Sequence, residues 1–62
     1  MDWSKVESMD PDMLVGIVNT ALRNHYGDLD ELCRAEDVDQ DALCQRLASG
    51  GYDYNAEAKQ FR

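Results

Sequence analysis

Asp28–Leu47, DLDELCRAEDVDQDALCQRL, decides how the rest of this chain is read. It divides into two short helices around a tight acidic turn. Asp28-Leu29-Asp30-Glu31 is the acidic form of a reciprocal cap, with a glutamate three residues after the capping side chain. Leu29, Leu32 and Cys33 supply the inner face of a helix over about 29–36. Val38 is apolar amid Glu36, Asp37 and Asp39, so it is expected to plug the turn into a core. Asp39 or Asp41 caps the next helix, about 40–49, whose Leu43, Cys44, Leu47 and Ala48 are expected to point inward. Gly50-Gly51 ends it.

Toward the N-terminus, Asp10-Pro11-Asp12 is a helix start. Asp10 suits the cap, Pro11 the first turn and Asp12 the positive end of the dipole. Met13, Leu14, Ile17, Val18, Ala21, Leu22 and Tyr26 then recur at spacings of three and four, one apolar face. Gly27 is expected to close this helix in the left-handed conformation. The helix covers about 11–26, roughly 24 Å at ~1.5 Å per residue. Residues 1–9 form an arm in which Trp3, Val6 and Met9 fall three apart. That spacing fits a short helical turn or a loose segment folded over the core.

Toward the C-terminus the period changes. Tyr52 and Tyr54 fall on one face of a strand, and Phe61 can answer them across a turn at 55–58. A short hairpin over about 52–61 follows, although the same letters also allow an extended tail. The expected fold is therefore mostly α. It is a single domain over 10–62, three-helix and helix-turn-helix-like, with a short C-terminal β-hairpin or extended tail.

The chain has 62 residues, and its 13 acids against 6 Lys and Arg give a net charge of −7. A domain this small buries only about 60% of the surface its unfolded chain exposes, so every core side chain counts. The acidic balance disfavours a polyanionic partner, because nucleic-acid affinity comes largely from cations that neutralise phosphates. The N-terminus MDWSKVESMDP has neither a basic start nor an apolar run of signal length. No apolar stretch approaches the roughly 20 residues that cross a bilayer. The expectation is a cytoplasmic protein with no membrane partner and with Cys33 and Cys44 reduced.

The helix-turn-helix spacing raises DNA binding first. Leu32, Cys33, Val38 and Leu43 fit the apolar positions of such a unit, while Asp37 stands where glycine is common and Arg46 where an apolar residue is usual. Between Asp28 and Asp41 lie seven acids and one base, Arg34, a local charge of −6. A recognition helix must bring its first residues between two phosphate rails. Gln40 and Gln45 could read adenine edges, but Asp37, Asp39 and Asp41 would face phosphate oxygens. The charge thus disfavours nucleic acid as a partner, to be reached only through Gln40, Gln45, Arg46, Lys59 and Arg62.

Metal and catalytic readings have less support. Residues 37–41 carry the alternating acids of a calcium loop, but Ala42 and Ala48 stand where its glycine and closing acid belong. His25, Cys33 and Cys44 match no zinc spacing, and both cysteines fall on inner faces. His25 has no exposed, activated thiol to pair with. Gly50-Gly51 follows a helix, the wrong order for a phosphate loop. No metal, no cofactor and no enzymatic activity are expected.

Surfaces remain. The acids Asp37, Asp39 and Asp41 with Gln45 form one candidate. The aromatics Tyr52, Tyr54 and Phe61, with Trp3, form another if they stand partly open, as aromatics at interface centres do. The reading preferred over this is that they close the open side of the core. Both readings are compatible with a homodimer.

Asp10-Pro-Asp-Met-Leu14, Val18-Asn-Thr-Ala-Leu-Arg23, Leu29-Asp-Glu-Leu-Cys33, Leu47-Ala-Ser-Gly-Gly-Tyr-Asp-Tyr54 and Gln60-Phe61 together resemble a family of small bacterial proteins of unknown function. The resemblance covers about residues 9–61. The family's usual pattern has an aliphatic residue at position 50 and an asparagine at position 59. The resemblance implies a bacterial origin and a stand-alone small protein, and it assigns no functional residue. The function expected is that of a non-enzymatic protein-protein interaction module, with an unknown protein partner. The alternative is a helix-turn-helix-like nucleic-acid-binding regulator.

Overall fold

Three aspartates start three helices. In the computed structural model, which describes residues 3–62, the Asp10 carboxylate accepts from the Asp12 amide at 2.9 Å and opens α1, Pro11–Asn24. Asp28 accepts from the Glu31 amide at 2.8 Å and opens α2, Leu29–Glu36. Asp39 accepts from the amides of Asp41 and Ala42, at 3.0 and 3.3 Å, and opens α3, Gln40–Ser49. Each carboxylate satisfies amides that have no partner inside the helix. Of the N-terminal arm, Met1 and Asp2 lie outside the described residues, while Trp3–Ser8 form a 3-10 helix.

Two details of the first loop differ from the sequence reading. Helix α1 closes at Asn24, because the amides of His25 and Tyr26 both turn onto the Ala21 carbonyl, at 2.8 and 3.1 Å. Gly27 is not left-handed. Its amide donates to Glu31 Oε2 at 2.7 Å, and a Cβ placed on it would stand 3.1 Å from that oxygen. The second half of the reciprocal cap thus reaches one residue further back than expected, and glycine gives the carboxylate room. Tyr26 leaves the helix and donates its hydroxyl to Glu36, tying the end of α1 to the end of α2.

The other two helix ends share an amide bond that reaches five residues back. At the end of α3 the Tyr52 amide reaches the Leu47 carbonyl at 3.0 Å and the Gly51 amide reaches Ala48 at 2.9 Å. Gly51 has φ 90°, the left-handed position of a Schellman closure. At the end of α2 the Val38 amide reaches Cys33 at 2.9 Å, and the left-handed residue is Asp37, φ 57°. Val38 is thereby set against the core, as expected. Gly50 serves a different end. A Cβ there would lie 2.5 Å from Pro11 Cβ, so its absence lets the end of α3 abut the start of α1.

The core is built from Leu14 and Val18 of α1, Leu32 of α2, and Leu43 and Leu47 of α3, all with no accessible surface. Val6, Ala21, Leu22, Leu29, Cys33 and Phe61 complete it. Met13 and Ala48 depart from their expected inward places. Met13 is 63% exposed and Ala48 is exposed, because each lies at the edge of its helix's apolar arc.

The tail is a two-stranded antiparallel hairpin, β1 Tyr54–Asn55 and β2 Gln60–Phe61, pairing Tyr54 with Phe61 and Asn55 with Gln60. Asp53 and Arg62 extend the pairing by exchanging two backbone bonds at 2.9 Å. In the turn, Asn55 Oδ1 accepts from the Ala58 amide at 3.0 Å and Lys59 is left-handed, φ 55°. An asparagine would enter that conformation more readily than lysine. The molecule is mostly helical with a short C-terminal hairpin.

Candidate functional site

Each acid in the −6 stretch starts from a structural task or from none. Asp28 and Asp39 are caps, Glu31 closes the cap of α2, Glu36 accepts from Tyr26, and Asp37 makes the left-handed turn. Asp30 and Asp41 lie in first helical turns, where negative charge favours the dipole. All these carboxylates except half-buried Glu36 are exposed. Of the candidate residues, Asp37, Asp39, Asp41 and Gln45 are therefore solvent-facing and follow one another across the α2–α3 turn and along α3.

The aromatic candidates do not form one cluster. Tyr52 is half-buried beside the start of α1 and donates its hydroxyl to Asp12 Oδ1 at 2.7 Å. That bond to a carboxylate, followed by burial and the charges of Asp12 and Asp10, raises the Tyr52 pKa above its ordinary value. Tyr54 is half-buried and its ring leans on Phe61, with centroids 5.3 Å apart. Phe61, expected on a surface, is only 3% exposed and belongs to the core. Its backbone is fixed by a side chain that sequence reasoning passed over. Asn19 of α1 donates through Nδ2 to the Phe61 carbonyl at 3.0 Å and accepts at Oδ1 from the Phe61 amide at 2.8 Å. Gln60 Nε2 returns a bond to the Asn19 carbonyl at 3.2 Å. A polar residue one step along from Val18 on a helix whose core face is apolar was the available signal. Trp3 lies elsewhere, beside the α2–α3 turn.

The residues that could speak for nucleic acid are divided as well. Arg46 is half-buried and its Nε donates to the Met9 carbonyl at 2.7 Å, holding the N-terminal segment to α3. Gln40 and Lys59 line a cleft of about 330 Å³ between the starts of α2 and α3 and the hairpin, together with Asp28, Asp30 and Tyr54. Gln45 is exposed on the outer face of α3, and Arg62 is exposed at the end of the tail. No single basic stripe joins them.

The two thiols are free, Cys33 buried and Cys44 half-buried. Burial, then the nearby Cys44, Asp30 and Asp39, pushes the Cys33 thiol up to about 11, and burial followed by Asp41 raises Cys44 too. A thiol held protonated is a poor nucleophile and a poor metal ligand. Among the described residues, no group of three or more His, Cys, Asp or Glu is placed to hold a metal ion, and no helix is long and apolar enough to cross a membrane.

A family model described as a domain of unknown function (DUF4250) matches residues 8–61. The chain belongs to this family. Neither a curated protein nor a solved structure matches the chain. The matched region starts at the end of the N-terminal 3-10 helix and runs through the three helices and the hairpin to Phe61. It therefore takes in the acidic turn, the outer face of α3 and the Asn19 junction with the tail.

Proposed function

We propose that this DUF4250 domain is a non-enzymatic protein-interaction module of the bacterial cytoplasm, and that its docking surface is the acidic face of Asp37, Asp39, Asp41 and Gln45. The observation that carries the reading is the exposure of this face. Its acids run across the α2–α3 turn, and Gln45 extends them along α3. Tyr52 and Tyr54 are half-covered and Phe61 is buried, which leaves the acidic turn as the better surface. A partner with a basic patch complements it, and such pairs gain chiefly in specificity and association rate.

The test is capture of partners from a bacterial extract by the wild-type chain and by the triple variant Asp37→Asn, Asp39→Asn, Asp41→Asn. Asparagine caps helices as well as aspartate, so the variant keeps the start of α3 while losing three charges. The expected result is a partner retained by wild type, lost by the variant and weakened as salt rises. Equal retention by both would sink the acidic face as the surface.

The second reading, a nucleic-acid-binding regulator, draws on the helix-turn-helix arrangement of α2 and α3. It requires Arg46 to leave Met9 and the acids beside Gln40 to tolerate phosphate. Titration against mixed duplex DNA at low salt separates the two, since binding that survives near-physiological salt favours the regulator. A homodimer would use other surface, and among the described residues Met13 is the large apolar side chain most open to it. Sedimentation at several concentrations decides that point, with a strict monomer removing it.

A further inference from the structure

The N-terminal segment packs against α3 and sends one side chain, Val6, into the core. Trp3–Ser8 is a six-residue 3-10 helix, longer than the three or four residues at which such helices usually stop, because their hydrogen bonds are poorly aligned. With three residues per turn, Trp3, Val6 and Met9 share one edge. Only Val6 of the helix is buried, at 4% exposure, with Trp3 and Met9 half-covered against the same core.

The segment lies along α3 with open clefts on both sides. One, about 260 Å³, runs between Glu7 and the α3 residues Ala42, Gln45 and Arg46. The other, about 190 Å³, runs between Trp3 and Val6 on one wall and Asp37, Val38 and Ala42 on the other. Past its end, Arg46 Nε donates to the Met9 carbonyl at 2.7 Å, a polar fastening between the foot of the segment and α3. The chain then extends through Asp10, φ −61° and ψ 126°, into Pro11, so the segment joins α1 through a non-helical link. The match to the family model begins at residue 8, where the segment ends.

We propose that Trp3–Ser8 is a strap that lifts from α3 as a unit while the three helices and the hairpin stay folded. Its lifting uncovers Val38, Ala42 and the stem of Arg46, an apolar strip bordering the acidic turn. The strap thereby governs how much of the α3 face a partner meets. That consequence rests on the interaction reading above, whereas the lifting itself does not.

Trp3 is the only tryptophan in the chain, so its emission reports the strap and far-ultraviolet circular dichroism reports the helices. Urea titration of the full chain, followed by both signals, is the test. Lifting predicts a red shift of Trp3 emission at lower urea, and with a shallower slope, than the loss of helical signal. Less surface is exposed by a strap than by global unfolding. Arg46→Gln removes the charged donor to Met9 and is expected to raise the lifted fraction on the order of tenfold. It moves the Trp3 transition to lower urea and leaves the helical midpoint nearly in place. Coincident transitions in the wild-type chain, a shift of both midpoints together in Arg46→Gln, or Trp3 emission already that of free tryptophan without urea would each overturn the proposal. None of these readouts involves a partner, so failure of the docking reading leaves the strap standing.

Discussion

Two segments flank the three-helix core, one at each end of the chain, and both bring aromatic residues to it. The C-terminal tail sends Phe61 into the core and is fastened to α1 by three bonds, two between the Asn19 side chain and the Phe61 backbone and one from the Gln60 side chain to the Asn19 carbonyl. The N-terminal segment sends in Val6, half-covers Trp3 and is fastened to α3 by Arg46 at Met9. On the strap proposal, apolar letters alone do not decide whether a terminal segment belongs to the cooperative unit. What decides is whether the core also satisfies that segment's backbone. A short two-stranded hairpin is marginal by itself, and this one is sustained because Asn19 acts as its third partner.

The largest expected effect tests the tail. Phe61→Ala removes a buried ring beside Tyr54 and should cost about 3–5 kcal/mol. For a domain of this size that approaches the whole stability. The variant should show no cooperative urea transition or one at much lower urea. A cost below about 1 kcal/mol would mean that the tail is as loosely joined as the strap. The companion change at the other end, Val6→Ala, should move Trp3 emission far more than it moves the helical signal.

Asn19→Ala comes next. It leaves the Phe61 amide and carbonyl without their side-chain partners in a half-buried site, at a cost of about 1–3 kcal/mol. Amide hydrogen exchange at Phe61 should quicken while exchange at Leu32 changes only as far as global stability falls. Unchanged protection of Phe61 would show that the hairpin holds without α1, and the contrast between the two ends would collapse.

Helix starts were legible because they depend on neighbouring letters. Asp10-Pro11, Asp28 with Glu31, and Asp39 each place a carboxylate by the amides that need it. The end of α3 at Gly51 was legible for the same reason. The end of α1 was not, since Tyr26 leaves the helix to reach Glu36, ten residues away in sequence. The Asn19 junction spans 42 residues, and no periodicity connects its two sides. The acidic turn was visible at once, but not the division of its acids between capping and open surface. Arg46 read as a stray cation in an apolar slot, while its role at Met9 depends on how the arm folds back.

The alkaline limb is a smaller effect and falls on the core that both segments share. Burial holds the Cys33 thiol protonated, with its pKa pushed up to about 11, above the ordinary value of roughly 8.5 in an unfolded chain. The folded state therefore binds this proton more tightly. Its contribution is fully present below about pH 8.5 and is lost as pH rises through about 11. Stability measured by urea should decline across that window, and Cys33→Ser, which has no thiol to ionise, should lose this part of the slope. An equal slope in both proteins would place the alkaline effect on Cys44 and the tyrosines instead. Cys44 should meanwhile be alkylated before Cys33, because it is the less buried thiol.

The smallest change is a gain, and it separates the turn from the strap that lies beside it. Asp37 holds φ 57°, a conformation in which a Cβ crowds the following carbonyl and which glycine enters freely. It also puts a negative charge at the C-terminal end of α2, where the dipole is negative. Asp37→Gly removes both penalties, offset in part by the freer unfolded chain that glycine brings. The net gain should be about 0.5 kcal/mol. The hydrogen bond from Val38 to Cys33 is a backbone bond and survives the change. The helical midpoint should therefore rise slightly while the Trp3 transition stays where it was, the reverse of the pattern set by Arg46→Gln. If Asp37→Gly instead moves both signals equally, the turn and the segment lying over it unfold together, and the N-terminal end is held as firmly as the tail.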